Sequence, residues 1–559
     1  MKALSHRYER LLHSAQQWKD DQVLEVYLTA LAHAYDPHSD YMGRRQSEDF
    51  SISMNLSLVG IGASLQADDG YCKIRELVPG GPAARSKLLK VGDRIVAVAQ
   101  DIKELVDIVD MPLEEAVGLI RGAKGTVVRL TIIPANSADG SARKTISLVR
   151  DEIHLDDQEA KARLVEVPDR AGHVSRLGII DLPSFYSGSG GDNESAPRSA
   201  TADVARLLEK LKQEHVQGII LDLRRNGGGS LEEAIALTGL FIRQGPVVQT
   251  KGPAGDVRVE SDPDPSVLYD GPMVVLTSRL SASASEILTG ALQDYGRALV
   301  VGDSSTFGKG TVQSMLPLAK VMHHAGFPVH ADPGALKFTI RKFYRPDGAS
   351  TQLKGVVSDI VLPSPTEVLK VSEAEMPDPL PWDRVPAARH AELDRVAPWV
   401  ATLREASVER TATNEDFVWL REDNNRIKAQ MDHPVVLLNE KQRRQEKTEA
   451  EARAKARKKD RAGRHTPQET QYEITLRNAD QPGLPKPLSP AAHLGQADDA
   501  ENEVQSPDAG LAGKDLASDC VLEETQHILL DYIALLNAPS NATLAGHFPG
   551  PEAGDVNSR

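Results

Sequence analysis

Cysteine is nearly absent from this chain: Cys72 and Cys520 are the only two in 559 residues, and they lie far apart. No metal-ligand spacing can be built from them, which argues against a zinc site and against a disulfide framework. Long apolar runs are also missing, since no stretch reaches the roughly 18 consecutive apolar residues of a membrane-spanning helix. Positive charge is in deficit, and a net charge of -15 argues against nucleic acid as a main partner. Basic residues occur in the first ten positions, but no apolar segment and no small-residue cleavage site follow them. Read literally, that start places the chain in the cytoplasm. What remains is 40% hydrophobic and 26% charged, the composition of a soluble protein long enough for two to four domains.

The apolar pattern changes along the chain. Residues 21–34 put Leu24, Tyr27, Leu28 and Leu31 on one face at helical spacing, and Asp36-Pro37 ends that helix. Residues 51–150 read as short strands, among them Ile74–Val78, Arg94–Val98 and Val127–Ile133, with two short helices. From 177 to 363, buried runs at Leu177–Ile180, Ile219–Leu223, Met273–Leu276 and Leu299–Val301 alternate with helical stretches at Ala202–Lys212, Leu231–Phe241 and Glu286–Tyr295. Such alternation predicts a layered α/β core. Beyond 365 the sequence turns Pro-rich and then charged. Lys441–Arg464 reads as a solvated helix, residues 465–515 as a partly disordered linker, and Glu523–Leu536 as a final amphipathic helix.

Three segments carry possible chemistry. GPMVVLTSRLSASASEILTGALQDY (271–295) runs from a buried strand through small residues into a helix starting near Ser285-Glu286. A nucleophile on such a turn is exposed beside the N–H groups of a helix start, but Ser281, Ser283 and Ser285 compete, and a plain N-cap explains Ser285 equally well. VGDSSTFGKGTVQ (301–313) resembles a phosphate loop but fails: five residues separate Gly302 from Gly308, and Gly310 stands where a magnesium-binding hydroxyl is needed. A lysine held by glycines in a partly apolar turn is expected to have its charged form disfavoured, which suits a base. No histidine is well placed beside the serines, so a Ser–Lys pair fits better than a Ser–His–Asp triad. IILDLRRNGGGS (219–230) ends a strand in glycines, which allow backbone N–H groups to approach a developing negative charge. Further upstream, LVGIGASL (58–65) and ELVPGGPAARSKLLKVGDRIVAVAQ (76–100) read as a PDZ domain, whose Gly-rich loop captures a terminal carboxylate while a peptide adds to a sheet edge.

DPHSDYM, SLVGIGASLQ, GGPAARSK, VGDRIV, DLRRNGGGSL, SASASEI, QDYGRALVVG, TFGKGTVQ and FYRPDGASTQLKGV occur in this order between Asp36 and Val356. Together they resemble the carboxy-terminal-processing protease family, in its bacterial tail-specific branch, with a looser continuation through LPWD at 380–383. The resemblance implies a crotonase- or ClpP-like α/β core with an inserted PDZ domain and helical N- and C-terminal regions. Its implied organisation is a partial helical region over 1–46, the PDZ domain over 47–150, the protease core over 151–365, and a charged helical region over 366–559. It assigns Ser283 as nucleophile, Lys309 as general base and Gln313 as the residue orienting the lysine. It places the oxyanion hole at the N–H groups of Gly228 and Ala284, gives supporting roles to Asp294, Glu286, Gly229 and Thr306, and puts peptide capture at Val59, Gly60, Ile61 and Gly62. No cofactor is implied.

The resemblance also implies a periplasmic, ATP-independent endopeptidase acting on proteins with apolar or unstructured C-termini, with a lipoprotein adaptor by analogy. Two departures stand out. The chain starts late and without a signal peptide, as a truncated reading frame would, and Ser358 in GVVSDI replaces the proline the family favours, a change expected to be tolerated in a loop. The competing interpretation is a non-catalytic PDZ scaffold or chaperone, against which Ser283, Lys309 and Gln313 together argue. A nucleotide-using enzyme is a remote third.

Overall fold

The computed structural model describes residues 18–137, 142–168, 174–188, 198–329, 332–435, 437–464, 469–488 and 519–537, with Ser5, Tyr8, Leu12 and Gln16. Residues 465–468 and 489–515 of the expected linker, and most of the first ten positions, lie outside these. The chain divides into two compact units. The first comprises Met1–Glu159, Tyr186–Arg198 and Ser314–Phe338, the second Ala160–Phe185, Ser199–Gln313 and Thr339–Arg559. Among the described residues no helix is long and apolar enough to cross a membrane.

In the first unit the helix Asp20–His33 forms where the spacing predicts it, but it buries none of its residues. Leu24, Tyr27 and Leu31 are exposed, so the expected apolar face has no core beneath it among the described residues. The PDZ sheet is six-stranded, with Ala63–Asp68 at one edge, followed in space by Tyr71–Leu77, Arg94–Gln100, Val127–Ile133 and Lys144–Val149, while the short strand Val106–Asp107 also pairs with Arg94–Gln100. Alternating residues such as Val128, Leu130 and Ile132 bury one face in a core shared with Ala116 and Ile120 of the helix Leu113–Ile120. Arg150, buried, caps that helix by donating to the carbonyls of Leu119 and Ile120. The strand Asp151–His154 pairs with Ser57–Gly60, so it belongs to this unit and not to the core that follows.

In the second unit, described strands form a seven-stranded sheet in the order Ile360–Val361, Leu299–Gly302, Met273–Thr277, Gly218–Asp222, Val174–Asp181, Lys161–Pro168 and Thr470–Ile474. The first five run parallel; Lys161–Pro168 pairs antiparallel with Val174–Asp181, and Thr470–Ile474 pairs antiparallel with Lys161–Pro168 at the far edge. GIILD and MVVLT are buried at every position, as expected of parallel strands covered on both faces. The helix Ala200–Gln213 starts at Ser199, whose side chain accepts from Ala202 N–H, and buries Val204, Leu207, Leu208 and Leu211 along one stripe.

The expected C-terminal region is not set apart from this core. Thr470–Ile474 supplies its edge strand, and the helix Cys520–Asn537 packs on the central strands Gly218–Asp222 and Met273–Thr277. Ile528 and Leu529 of that helix are fully buried in the same cluster as Ile220 and Val274. Glu440–Gly463, by contrast, is the solvated helix its charge pattern predicts, with no buried residue. Because Leu529 fills core space, Leu529→Ala should destabilise the second unit by about 3 kcal/mol, read by urea denaturation. A loss under about 1 kcal/mol would mean that the C-terminal helix only rests on the core.

Candidate active site

Parallel register decides where the three suspect loops emerge. Asp222 is paired with Leu276, and Thr277 with Gly302, so three neighbouring strands finish at one edge of the sheet. The glycine turn after Leu223, the SASAS turn after Thr277 and the FGKG turn after Gly302 therefore converge there, where α/β sheets usually bind ligands.

Burial separates the three serines. Ser281 is fully buried and donates its hydroxyl to the Leu223 carbonyl at 2.8 Å, and Ser285 is fully buried and donates to the Asn226 carbonyl at 2.8 Å. Ser283 alone of the three is partly exposed. It is also the N-cap of the helix Ala284–Asp294, two residues earlier than the spacing predicts, and sits at φ 57° and ψ -113°. A non-glycine residue there is strained by about 1–3 kcal/mol, as nucleophiles on sharp strand-to-helix turns are.

Glu286 ties that turn to the lysine. Its carboxylate is fully buried and accepts four hydrogen bonds. Oε2 takes the N–H groups of Ser283 at 2.8 Å and Lys309 at 3.0 Å, while Oε1 takes Gly308 N–H at 2.7 Å and the Thr306 hydroxyl at 2.6 Å. The backbones of Ser283 and Lys309 are thus no farther apart than two hydrogen bonds laid end to end. Thr306 Oγ1 in turn accepts from Val356 N–H at 2.8 Å, which leaves its own proton for Glu286. Four donors on two oxygens suit the ionised carboxylate; burial opposes it and pushes the carboxyl up to about 8.

The other expected residues take varied places. Gly228, at φ 112°, comes so close to the nucleophile turn that a Cβ there would lie 2.8 Å from Ser283 Cβ and 3.2 Å from Ala284 N. Its N–H, however, donates to Asn226 Oδ1 at 2.9 Å, so it is not presented to a substrate as the oxyanion assignment requires. Ala284 N–H, at the first position of its helix, has no acceptor among the described residues and fits that role. Gly229 has a packing reason for its identity, since a Cβ would meet the Phe185 carbonyl oxygen at 2.3 Å. Gln313 spends both amide protons on the hydroxyls of Thr311 and Thr339, each at 2.9 Å, which leaves only its amide oxygen to orient a lysine.

Asp294 lies at the opposite end of the helix from Ser283, about 15 Å along its axis. There it pairs with Arg345 and accepts from Asp347 N–H at 3.1 Å, while burial pushes its carboxyl up. Its role is to anchor the helix. Ser358 is better integrated than a tolerated loop change: it is buried and donates its hydroxyl to the Asp303 carbonyl at 2.6 Å.

At the PDZ domain the expected capture loop is shorter than its sequence reads. Val59 and Gly60 belong to the strand Ser57–Gly60, in register with Glu152 and Asp151, and only Ile61 and Gly62 remain as a turn. That turn leads into Ala63–Asp68, whose edge position leaves one side open to an added strand. Asn226 is a further residue of the site, one that the motifs do not single out. It is fully buried, its side-chain amide donates to the Leu182 carbonyl at 2.9 Å, and its backbone carbonyl receives both Ala282 N–H and the Ser285 hydroxyl. Its one signal was an asparagine opening a glycine run.

Family models match along nearly the whole chain: "Tail specific protease N-terminal domain" over 1–45, "PDZ domain" over 49–133, "Peptidase family S41" over 176–362, and "C-terminal domain of tail specific protease (DUF3340)" over 366–534. A carboxy-terminal-processing protease of Bartonella bacilliformis is 32% identical over 347 residues, covering 62% of this chain and 71% of that protein. The chain belongs to the carboxy-terminal-processing protease family, peptidase family S41. A tail-specific protease of Haemophilus influenzae is 40% identical over 453 residues, which cover 80% of this chain and 62% of that relative's length. Among solved structures, the PDZ domain of a carboxy-terminal protease from Vibrio cholerae, in complex with peptide, is 47% identical over 18% of this chain and all of that one, at a TM-score of 0.17.

Glu286 generates a prediction with two opposed slopes. Its folded carboxyl, near 8, holds a proton more tightly than an unfolded glutamate near its ordinary 4.5. Between those values the folded state binds more protons, so its contribution to stability falls as pH rises through about 8. Activity should rise over the same range, because only the ionised form accepts all four donors. Glu286→Gln should flatten the stability slope in chemical melts from pH 5 to 9 and remove most turnover. An unchanged slope in that variant would show that Glu286 does not titrate there.

Proposed function

We propose that the chain is an ATP-independent serine endopeptidase that cleaves proteins presenting apolar or unstructured C-termini. The observation that carries the proposal is the selection of Ser283: one serine of three is open, strained and bound to the same buried carboxylate as Lys309. In this reading Ser283 Oγ attacks the scissile carbonyl while the neutral Lys309 amine takes the hydroxyl proton. Ala284 N–H receives the oxyanion at a helix N-terminus, with Gly228 joining once Asn226 releases its N–H. The lysinium returns the proton to the leaving amine, and water then hydrolyses the acyl-enzyme. Gln313 orients the lysine through its amide oxygen.

Substrate choice is assigned to the PDZ domain. A C-terminal carboxylate meets the turn at Ile61 and Gly62, and the peptide adds along Ala63–Asp68. The periplasm and a lipoprotein adaptor belong to the same proposal and rest on the family resemblance alone.

One experiment tests the scheme: incubation of an unfolded substrate, with a free or an amidated C-terminus, without ATP. Ser283→Ala should abolish cleavage, while Ser281→Ala and Ser285→Ala keep measurable turnover, and amidation should slow the parent chain. A dead Ser281→Ala beside an active Ser283→Ala would move the nucleophile. Equal cleavage of both tails would remove the PDZ role.

A further inference from the structure

The stretch that carries Lys309 is gripped on two sides. Glu286 holds one. On the other, Thr351 Oγ1 donates to the Lys309 carbonyl at 2.8 Å and Leu353 N–H donates to the Gly308 carbonyl at 2.8 Å. Between these two lies Gln352, fully buried, whose Oε1 accepts Gly310 N–H at 2.7 Å. Its Nε2 donates at 2.7 Å to Oε1 of Glu373, which is also fully buried. Glu373 reaches the same stretch through its backbone, its N–H donating to the Phe307 carbonyl at 3.0 Å, and Phe307 N–H donates to the Ser281 carbonyl at 3.0 Å. Glu373 lies beyond the S41 match, in the part matched by the tail-specific C-terminal domain.

We infer that Glu373 is a positioning residue for Lys309, a carboxylate lent by the C-terminal domain that fixes Gln352 and, through it, the backbone next to the lysine. The inference rests on the assignment of Lys309 as base. A glutamine amide has two orientations of nearly equal shape, and its partners decide between them. A carboxylate only accepts, so it draws Nε2 to itself and turns Oε1 toward Gly310 N–H. In the reversed orientation, donor would face donor at Gly310 and acceptor would face acceptor at Glu373. Glu373 therefore sets the polarity of a buried side chain that bonds the residue after the lysine. There is little slack to absorb an error, because a Cβ at Gly310 would already lie 2.7 Å from Gln352 N. Displacing a reacting group by about 1 Å can cost about 100-fold in rate, so the effect belongs in kcat.

The test uses the full chain and an unfolded substrate, with parent and Ser283→Ala as references. Glu373→Ala and Gln352→Glu should each lower kcat about 10- to 100-fold with KM within about twofold. Glu373→Gln is the conservative variant, since the new amide oxygen still accepts from Gln352 Nε2, and it should lose less than about threefold. The double variant Q352E/E373Q reverses the donor and acceptor roles between the two side chains while still offering an acceptor oxygen to Gly310 N–H, and it should recover most of what Gln352→Glu loses. Amide hydrogen exchange at Gly310 should be faster in Glu373→Ala and Gln352→Glu and return toward the parent in the double variant. That readout needs no catalysis. A parent that does not cleave defeats the protease assignment, whereas Gly310 exchange still judges the tether. A kcat for Glu373→Ala within about twofold of the parent, or a double variant no better than Gln352→Glu, overturns the inference. Should Glu373→Ala fail to fold, the exchanged pair decides alone.

Discussion

The carboxylate of Glu286 is the constraint on which the active edge depends. It is fully buried and is met by three backbone N–H groups and one hydroxyl. Taking an ion out of water costs several kcal/mol, and only well-aimed donors offset it. Here the donors come from the nucleophile's own turn and from the loop carrying the lysine, so satisfying one charge joins two loops. Its place in the first turn of Ala284–Asp294 adds the favourable field of the helix N-terminus. The same arrangement supports the unusual backbone of Ser283, whose N–H is bound on one side while its carbonyl accepts from Glu286 and Ile287 on the other.

Convergence of the loops is a consequence of the sheet. Parallel strands finishing side by side bring together residues more than eighty positions apart, and the helix Cys520–Asn537 and strand Thr470–Ile474 complete the layers that hold those strands in place. The C-terminal region is thus part of the catalytic fold. Arg224, at the end of the strand leading to the glycine turn, pairs with both Asp222 and Asp519 just before that helix, which makes the link electrostatic as well as apolar.

Much of this was legible from residues alone. The apolar runs Met273–Leu276 and Leu299–Val301 could only be covered strands, and they are. The SASAS segment was readable as a strand-to-helix turn, but its three serines are chemically alike. What separates them is burial and one positive φ, properties of the fold and not of the residue type. The cap and the nucleophile looked like rival readings, yet Ser283 is the cap and the exposed serine at once. LVGIG could be strand or loop at that length; pairing with Asp151–His154 took Val59 and Gly60 for the strand. The face of Asp20–His33 had the right period, with nothing among the described residues to bury it. Asn226 and Glu373 carried little or no signal because their partners are contacts of the tertiary structure, in one case more than sixty residues away.

Covalent labelling shows directly which serine hydroxyl is activated and whether Glu286 activates it. The full chain would be treated with a fluorophosphonate, a reagent that traps activated serine hydroxyls, and the adduct located by peptide mass spectrometry. A single adduct on Ser283 is expected, formed at a rate that collapses when Glu286 is replaced by alanine in a chain that still folds. An adduct on Ser281 or Ser285, or labelling of Ser283 at an undiminished rate without Glu286, would contradict it.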